Sequence, residues 1–249
     1  MDNGTCTTLA WARASNGTLT DDERRMLRRQ ALRGYRDFLR GMLSAPLRRP
    51  SSDLTAPTPP DSKLARTARE AALDQPQSFL NHGHRTWLFG SMLADVDGAT
   101  VDREYLYVAS LLHDSGLAEQ VAGEDFTIRS AARVLDVCER AGLDDPDAPT
   151  MMADGVVAHI TPGLTPQDTV IGYYVQAGAL ADLAGMRAWD IPGEIRRAAF
   201  LEHPASQVFS EVPAAVAAEA RAVPAGRFAL LNGLGFGLVV RVSPMRRFA

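Results

Sequence analysis

The run VASLLHDSGL, Val108 to Leu117, ends an apolar helical pattern on an adjacent imidazole and carboxylate, His113 and Asp114. Burying an ionised group without a partner costs several kcal/mol or more. A fold that turns Leu106, Ala109 and Leu112 inward must therefore bring a compensating group to this point. Successive helical residues point about 100° apart, so His113 and Asp114 can both reach one spot just beyond the last turn. A divalent cation at that spot would neutralise the carboxylate and use the imidazole lone pair.

The rest of the chain narrows the fold that can supply such a spot. Its 249 residues are 46% hydrophobic and 22% charged, enough to build one large domain. A net charge of −4 leaves no basic footprint for nucleic acid, so neither DNA nor RNA is an expected partner. Cys6 and Cys138 are too few for a disulfide framework and form no CxxC pair, which makes a reducing cytoplasm the expected location. The N-terminus lacks the pattern of a secretory signal and reads as a loose arm. The longest apolar stretch, FALLNGLGFGLVVRV from Phe228, is interrupted by Asn232 and three glycines and falls short of the roughly 20 residues of a membrane span. No membrane association is expected. Gly233, Gly235 and Gly237 lack the spacing of a dinucleotide fingerprint, and a packed C-terminal hairpin or kinked helix is the expectation there.

Thr20 and Glu23 form a capping-box pattern that starts a helix running to about Ser44. Its Leu27, Ala31, Phe38, Leu39 and Met42 recur at helical spacing, and seven arginines from Arg24 to Arg40 make most of the remainder a solvated face. The stretch PLRRPSSDLTAPTPPDS, Pro46 to Ser62, cannot continue a helix and reads as a linker or a surface wrap. From Lys63 onward the pattern is helical, with turns at DVDGATVD, AGLDDPDAP, ITPGLTPQD and WDIPGE, and strand-type alternation is nearly absent. The fold class is all-α. The expected division is an N-terminal arm, arginine-rich helix and linker over residues 1–62, then a helical domain over 63–249, with one continuous domain as the alternative.

Three further groups can complete a metal site. His82 and His84 lie two apart, about 200° around a helix, so only one can face a given ion. His159 ends another short apolar helix, and Asp182 sits inside the alanine-rich segment GALADLAG with no neutralising neighbour within one turn. Aspartate is a poor helix-interior residue, which points to a tertiary partner. Arg85 lies about one turn from His82, within reach of a ligating carboxylate or a substrate.

In this order and helical context, NHGHR...FG, SLLHDSGL and DLAG...DIP, the chain resembles the HD-domain superfamily of metal-dependent hydrolases, and within it the branch containing cyanamide hydratase. The resemblance covers roughly Gln77 to Phe209. It implies an HD-type helical bundle carrying an extra N-terminal helix, with His82, His113, Asp114 and Asp182 as ligands of a divalent ion, Zn²⁺ or Fe²⁺. It also implies a hydrolase or lyase that adds activated water to a small electrophilic carbon, such as a nitrile or cyanamide. His159, Glu119 and Arg85 are the expected catalytic groups: His159 or Glu119 as acid/base, Arg85 as a contact to substrate or ligating carboxylate.

Two alternatives within the superfamily are a phosphohydrolase acting on nucleotides or other phosphate esters and a two-iron oxygenase. Many phosphodiesterase members follow the His-Asp pair with Ile-Gly-Lys, whereas this chain has Ser115, Gly116 and Leu117. Two-iron members use six protein ligands, and His82, His113, Asp114, His159 and Asp182 supply five, which favours a single ion. A small-molecule substrate is the expected partner, and self-association into a homo-oligomer is left open.

Overall fold

The tightest constraint on the architecture is the crossing of two central helices, α4 (Gln77–Asp97) and α8 (Val170–Ala184), which pack more extensively than any other pair. Glycines set that approach. A Cβ on Gly178 would lie 2.0 Å from the Thr86 carbonyl oxygen, and one on Gly90 would lie 2.4 Å from the Tyr174 carbonyl oxygen. The backbones therefore meet without intervening side chains. Both helices are apolar on most faces, as expected for core helices rather than surface ones.

The computed structural model describes residues 6–45, 54–205 and 207–248. Among these the structure is all-α, as the sequence patterning predicts. Around the central pair lie α3 (Lys63–Ala72), α5 (Arg103–Leu112), α6 (Phe126–Ala141) and α7 (Ala148–Ala158). Before them come α1 (Leu9–Ser15) and α2 (Asp21–Ser44); after them come α9 (Gly193–Glu202), α10 (Val208–Ala222), α11 (Arg227–Gly233) and α12 (Phe236–Arg241).

Local chemistry places the ends. Ser62, Asp102, Asp125 and Thr169 cap α3, α5, α6 and α8 by accepting backbone N–H groups of the first turn. The capping box at Thr20 and Glu23 forms with both of its hydrogen bonds. Gly98 and Gly185 end α4 and α8 in the left-handed region, with φ of 65° and 75°. The four breaks read from the sequence fall between α4 and α5, α6 and α7, α7 and α8, and α8 and α9. The C-terminal apolar stretch is a kinked helical pair, α11 and α12, bent at Gly235 (φ 88°). Among the described residues no single helix is long and apolar enough to cross a membrane.

The N-terminal region departs from expectation. From Cys6 on it is not a loose arm: Thr8 caps α1, the Leu9 N–H donates to Asp154, and Leu9 and Ala12 pack on Ala131, Ala153 and Val157. Arg227, fully buried, fastens this segment by donating to the carbonyls of Cys6 and Val157 and pairing with Asp125. Charge-assisted bonds of this kind satisfy a guanidinium that would otherwise be costly to bury. On α2 only Leu27 and Ala31 are buried, while Leu39 and Met42, expected on the inner face, are 57% and 44% exposed. The inner face of α2 borders a cavity rather than solid core. Of the proline-rich stretch, residues 46–53 lie outside the described residues, and 54–61 precede α3 without regular secondary structure.

One buried carboxyl lies apart from the cavity. Glu219 of α10 is 2% exposed and accepts the Phe126 N–H at the start of α6. Burial, with Asp125 adding to it, pushes this carboxyl from the usual value near 4.5 up to about 7. The folded chain thus keeps the proton to a higher pH than the unfolded chain. Stability therefore falls as pH rises from about 4.5 to about 7 and stays reduced above that window. Glu219→Gln keeps the acceptor for Phe126, so thermal melts should give a higher Tm than the parent at pH 8 and an equal one at pH 4.

The two kinds of helical glycine make a second test. Gly178→Ala should destabilise by about 1–3 kcal/mol or more in urea titrations, because the added methyl meets backbone. Gly34→Ala in α2, where a Cβ meets nothing within 4 Å, should stabilise by roughly 0.5–1 kcal/mol.

Candidate metal centre

Three helices deliver imidazoles to one place, and each ring is held by its Nδ1. His113 is the C-cap of α5, and its Nδ1 lies 2.7 Å from the Ser110 carbonyl oxygen. His159 is the C-cap of α7 and makes the equivalent contact to the Val156 carbonyl. His82 projects from α4, and its Nδ1 lies 2.6 Å from Asp182 Oδ2. Carbonyls and a carboxylate only accept, so each Nδ1 carries the proton and each Nε2 presents a lone pair.

Those lone pairs converge. His82 Nε2 and His113 Nε2 are 3.3 Å apart. Asp114 Oδ2 is 3.4 Å from His113 Nε2 and 3.9 Å from His82 Nε2, and Asp114 Oδ1 is 3.5 Å from His159 Nε2. Asp114 follows directly on His113 and precedes a short 3₁₀ turn, Ser115–Ala118, whose Gly116 packs against the Phe126 carbonyl with no room for a side chain. All four residues are at most 5% exposed. Ligand atoms of His82, His113 and Asp114 lie within 4.8 Å of one another, the spacing of a group that could hold a metal ion.

The donor set fits a cation on its chemistry. Between neutral rings acceptors face acceptors across about 3.3–3.9 Å, with the Nδ1 protons engaged elsewhere; a proton on His113 Nε2 would bridge to Asp114, and a cation would take its place. Two nitrogens about 2.0–2.1 Å from one tetrahedral ion stand roughly 3.3 Å apart, the separation seen here. Without a cation the charges partly compensate one another. Burial disfavours a charged His113, yet Asp114 beside it outweighs that and raises its pKa. Burial likewise opposes ionisation of Asp114, and His113 and then His159 reverse it and hold the carboxyl well below its usual range. His82 goes the other way, lowered by burial despite Asp182.

Asp182 takes a place different from that of a ligand in the expected set. Its Oδ2 is engaged with His82 Nδ1, behind the ring, and it accepts a bidentate pair from Arg85, Nε to Oδ1 at 2.7 Å and one terminal nitrogen to Oδ2 at 2.8 Å. The tertiary partner expected for this helix-interior aspartate is thus Arg85, with His82. Arg85 is fully buried, stands over the Phe200 ring at 4.7 Å, and also donates to the His203 carbonyl. It touches a carboxylate, as expected, but does not border the cavity, so it positions rather than contacts substrate. Burial opposes the Asp182 charge, and Arg85 followed by His82 overcomes it, so the carboxyl is lowered.

Two other residues separate from the site. Glu119 is a correction: it is exposed at the end of the 3₁₀ turn, and only its backbone carbonyl is engaged, by Arg129. The turn ends one residue earlier, which carries its side chain out of the core. His84 faces the opposite side of α4, its ring stacked on His203 at 4.3 Å, and burial with His203 lowers its pKa to about 4.

The cluster forms the floor of a cavity of about 450 Å³. Its walls bring together residues that the motifs did not mark: Tyr35 and Phe38 from α2, Leu180 and Leu183 from α8, Trp189, and Phe228, Leu231 and Phe236 from the C-terminal helices. Gln176 donates to the carbonyls of His159 and Thr161, fixing the chain beside the floor. The one signal for this wall in the sequence is Tyr35 and Phe38 spaced three apart on a helix otherwise rich in arginine. No family model and no curated protein matches the chain.

Breaking the Arg85–Asp182 pair from one side should be severe. Arg85→Ala leaves a buried carboxylate uncompensated and is expected to cost about 3–5 kcal/mol in chemical denaturation, with Glu119→Ala within about 0.5 kcal/mol of the parent.

Proposed function

We propose that the chain is a metal-dependent hydrolase or hydratase of the HD-domain kind, which adds water to an electrophilic carbon. The observation that carries this reading is the convergence of His82 Nε2, His113 Nε2 and an Asp114 oxygen on one another beside a cavity. His82, His113 and Asp114 would hold a single divalent ion, Zn²⁺ or Fe²⁺. When bound, such an ion supplies Lewis acidity and lowers the pKa of water towards neutrality.

The remaining roles belong to the chain. Asp182, locked by Arg85, fixes the tautomer and aim of His82; carboxylates behind a ligating histidine commonly matter 10- to 100-fold for metal affinity. His159 borders the cavity, and in its neutral form the Nε2, 3.5 Å from Asp114 Oδ1, carries a lone pair because the Nδ1 proton is held by Val156. With a nitrile, the water oxygen bonds to carbon as one carbon–nitrogen π bond opens, and His159 Nε2 takes the water proton and returns it to that nitrogen. That gives the imidic acid, whose remaining hydroxyl proton then moves from oxygen to the same nitrogen as the carbon–oxygen double bond forms and the carbon–nitrogen bond becomes single; water is consumed whole and the product is an amide.

The cavity favours carbon over phosphorus as the centre attacked. Among the described residues lining it, the one basic side chain besides histidine is Arg187, and that is held by Asp97 and Asp190. A phosphate ester would meet no free cation on these walls.

Elemental analysis of the purified protein should find about one equivalent of zinc or iron, lost in His113→Ala and kept in Glu119→Ala. Chelator-treated protein should lose nitrile hydration and regain it on adding the ion. Turnover of nucleotides with none of nitriles would reverse the choice of substrate centre.

A further inference from the structure

The floor of the cavity accounts for a small part of it. A three-heavy-atom nitrile displaces about two or three waters, on the order of 70 Å³, against about 450 Å³ enclosed above His113 and His159. That volume lies in the range of pockets that hold drug-sized, mainly apolar ligands, roughly 300–1,000 Å³. A molecule of cyanamide size would leave apolar walls wet and gain little from burial.

The walls carry two further observations. Gly34 of α2 borders the cavity and has open space where a side chain would stand, so nothing in the packing requires a glycine there. A larger residue at that point would take up volume the fold leaves free. Tyr35 and Trp189 line the cavity, and the Tyr35 hydroxyl oxygen and Trp189 Nε1 have no hydrogen-bond partner among the described residues and almost no surface open to water, so a ligand meets the hydroxyl on a small turn of the side chain toward the cavity. Buried donors of this kind are normally paired, and an unpaired one costs about 1–3 kcal/mol. Trp189 is held in place by stacking on Phe38, centroids 6.1 Å apart, and its indole edge packs into the gap left by Gly41.

We infer that this cavity takes a neutral, mainly apolar substrate of at least two fused rings or equivalent bulk, whose reacting carbon lies over the histidine floor and which offers a hydrogen-bond acceptor to Tyr35. The choice of reacting end rests on the water-addition reading above; size, neutrality and the Tyr35 contact rest on the walls alone. Aromatic and aliphatic walls give affinity, the absence of a free cationic side chain among the described residues on them disfavours an anionic group, and the orphaned hydroxyl gives direction.

The test is binding to the full chain, with and without bound divalent ion, followed by tryptophan fluorescence or calorimetry. The probes are acetonitrile, benzonitrile and 2-naphthonitrile, with naphthalene and adenosine monophosphate alongside. Affinity should rise about tenfold with each added ring, because each buries further apolar area. Adenosine monophosphate should bind more weakly than 2-naphthonitrile. Tyr35→Phe should weaken 2-naphthonitrile by roughly 2- to 10-fold and leave naphthalene unchanged, with a Tm no lower than the parent, since the hydroxyl has no partner to lose. Equal affinities along the series, or tighter binding of the nucleotide, would overturn the inference, as would equal losses for both ring compounds in Tyr35→Phe. The ladder without any nitrile turnover supports the inference and removes the water-addition reading. Acetonitrile turnover without a ladder does the reverse.

Discussion

The Arg85–Asp182 pair, sealed in the crossing of α4 and α8, is the interaction on which the rest depends. It neutralises the one carboxylate buried in the middle of the central helix pair, and in doing so leaves Asp182 able to hold His82 by its Nδ1. The glycines at 90 and 178 bring the helix backbones close enough for these side chains to meet. Two fully buried ions are sustainable only where their hydrogen-bonding capacity is nearly used up, and Arg85 spends what remains on the His203 carbonyl. Packing and chemistry are therefore set by the same contact.

On the far side of His82 the balance is inverted. There the polypeptide assembles imidazole nitrogens and a carboxylate within 3.3–3.9 Å of one another among buried apolar residues. At Arg227, by contrast, the terminal guanidinium nitrogens pair with Asp125 and with the carbonyls of Cys6 and Val157.

Much of this was readable from the residues, and the boundary of what was readable has a physical cause. Helix starts at Thr20, Asp102 and Thr169 and stops at Gly98 and Gly185 are decided within one turn, so local chemistry is sufficient. His82, His113, Asp114 and His159 stood out because titratable groups interrupted apolar periodicity. The separate fates of His82 and His84 followed from rotation alone. Asp182 was singled out correctly as needing a partner, but whether that partner was an ion or Arg85 turns on which way a side chain leans at a crossing 97 residues apart in sequence, which periodicity does not encode. Glu119 lies away from the cluster because the 3₁₀ turn Ser115–Ala118 ends just before it and leaves its side chain exposed, a local geometry that residue type and spacing do not encode. The cavity wall was out of reach for the same reason as Asp182: it is assembled from α2, α8 and the C-terminal helices, and Tyr35 and Phe38 look like ordinary amphipathic spacing until something fails to pack against them.

The thin attachment of α2 has a kinetic meaning. Of its 24 residues only Leu27 and Ala31 are buried, yet the helix supplies one whole wall of the cavity. Amide hydrogens in such an element exchange through sub-global opening, at a free energy well below that needed to separate α4 from α8. The cavity wall supplied by α2 is thereby the part of the interior whose shape can change most cheaply, while the histidine cluster sits on the firmly packed helices.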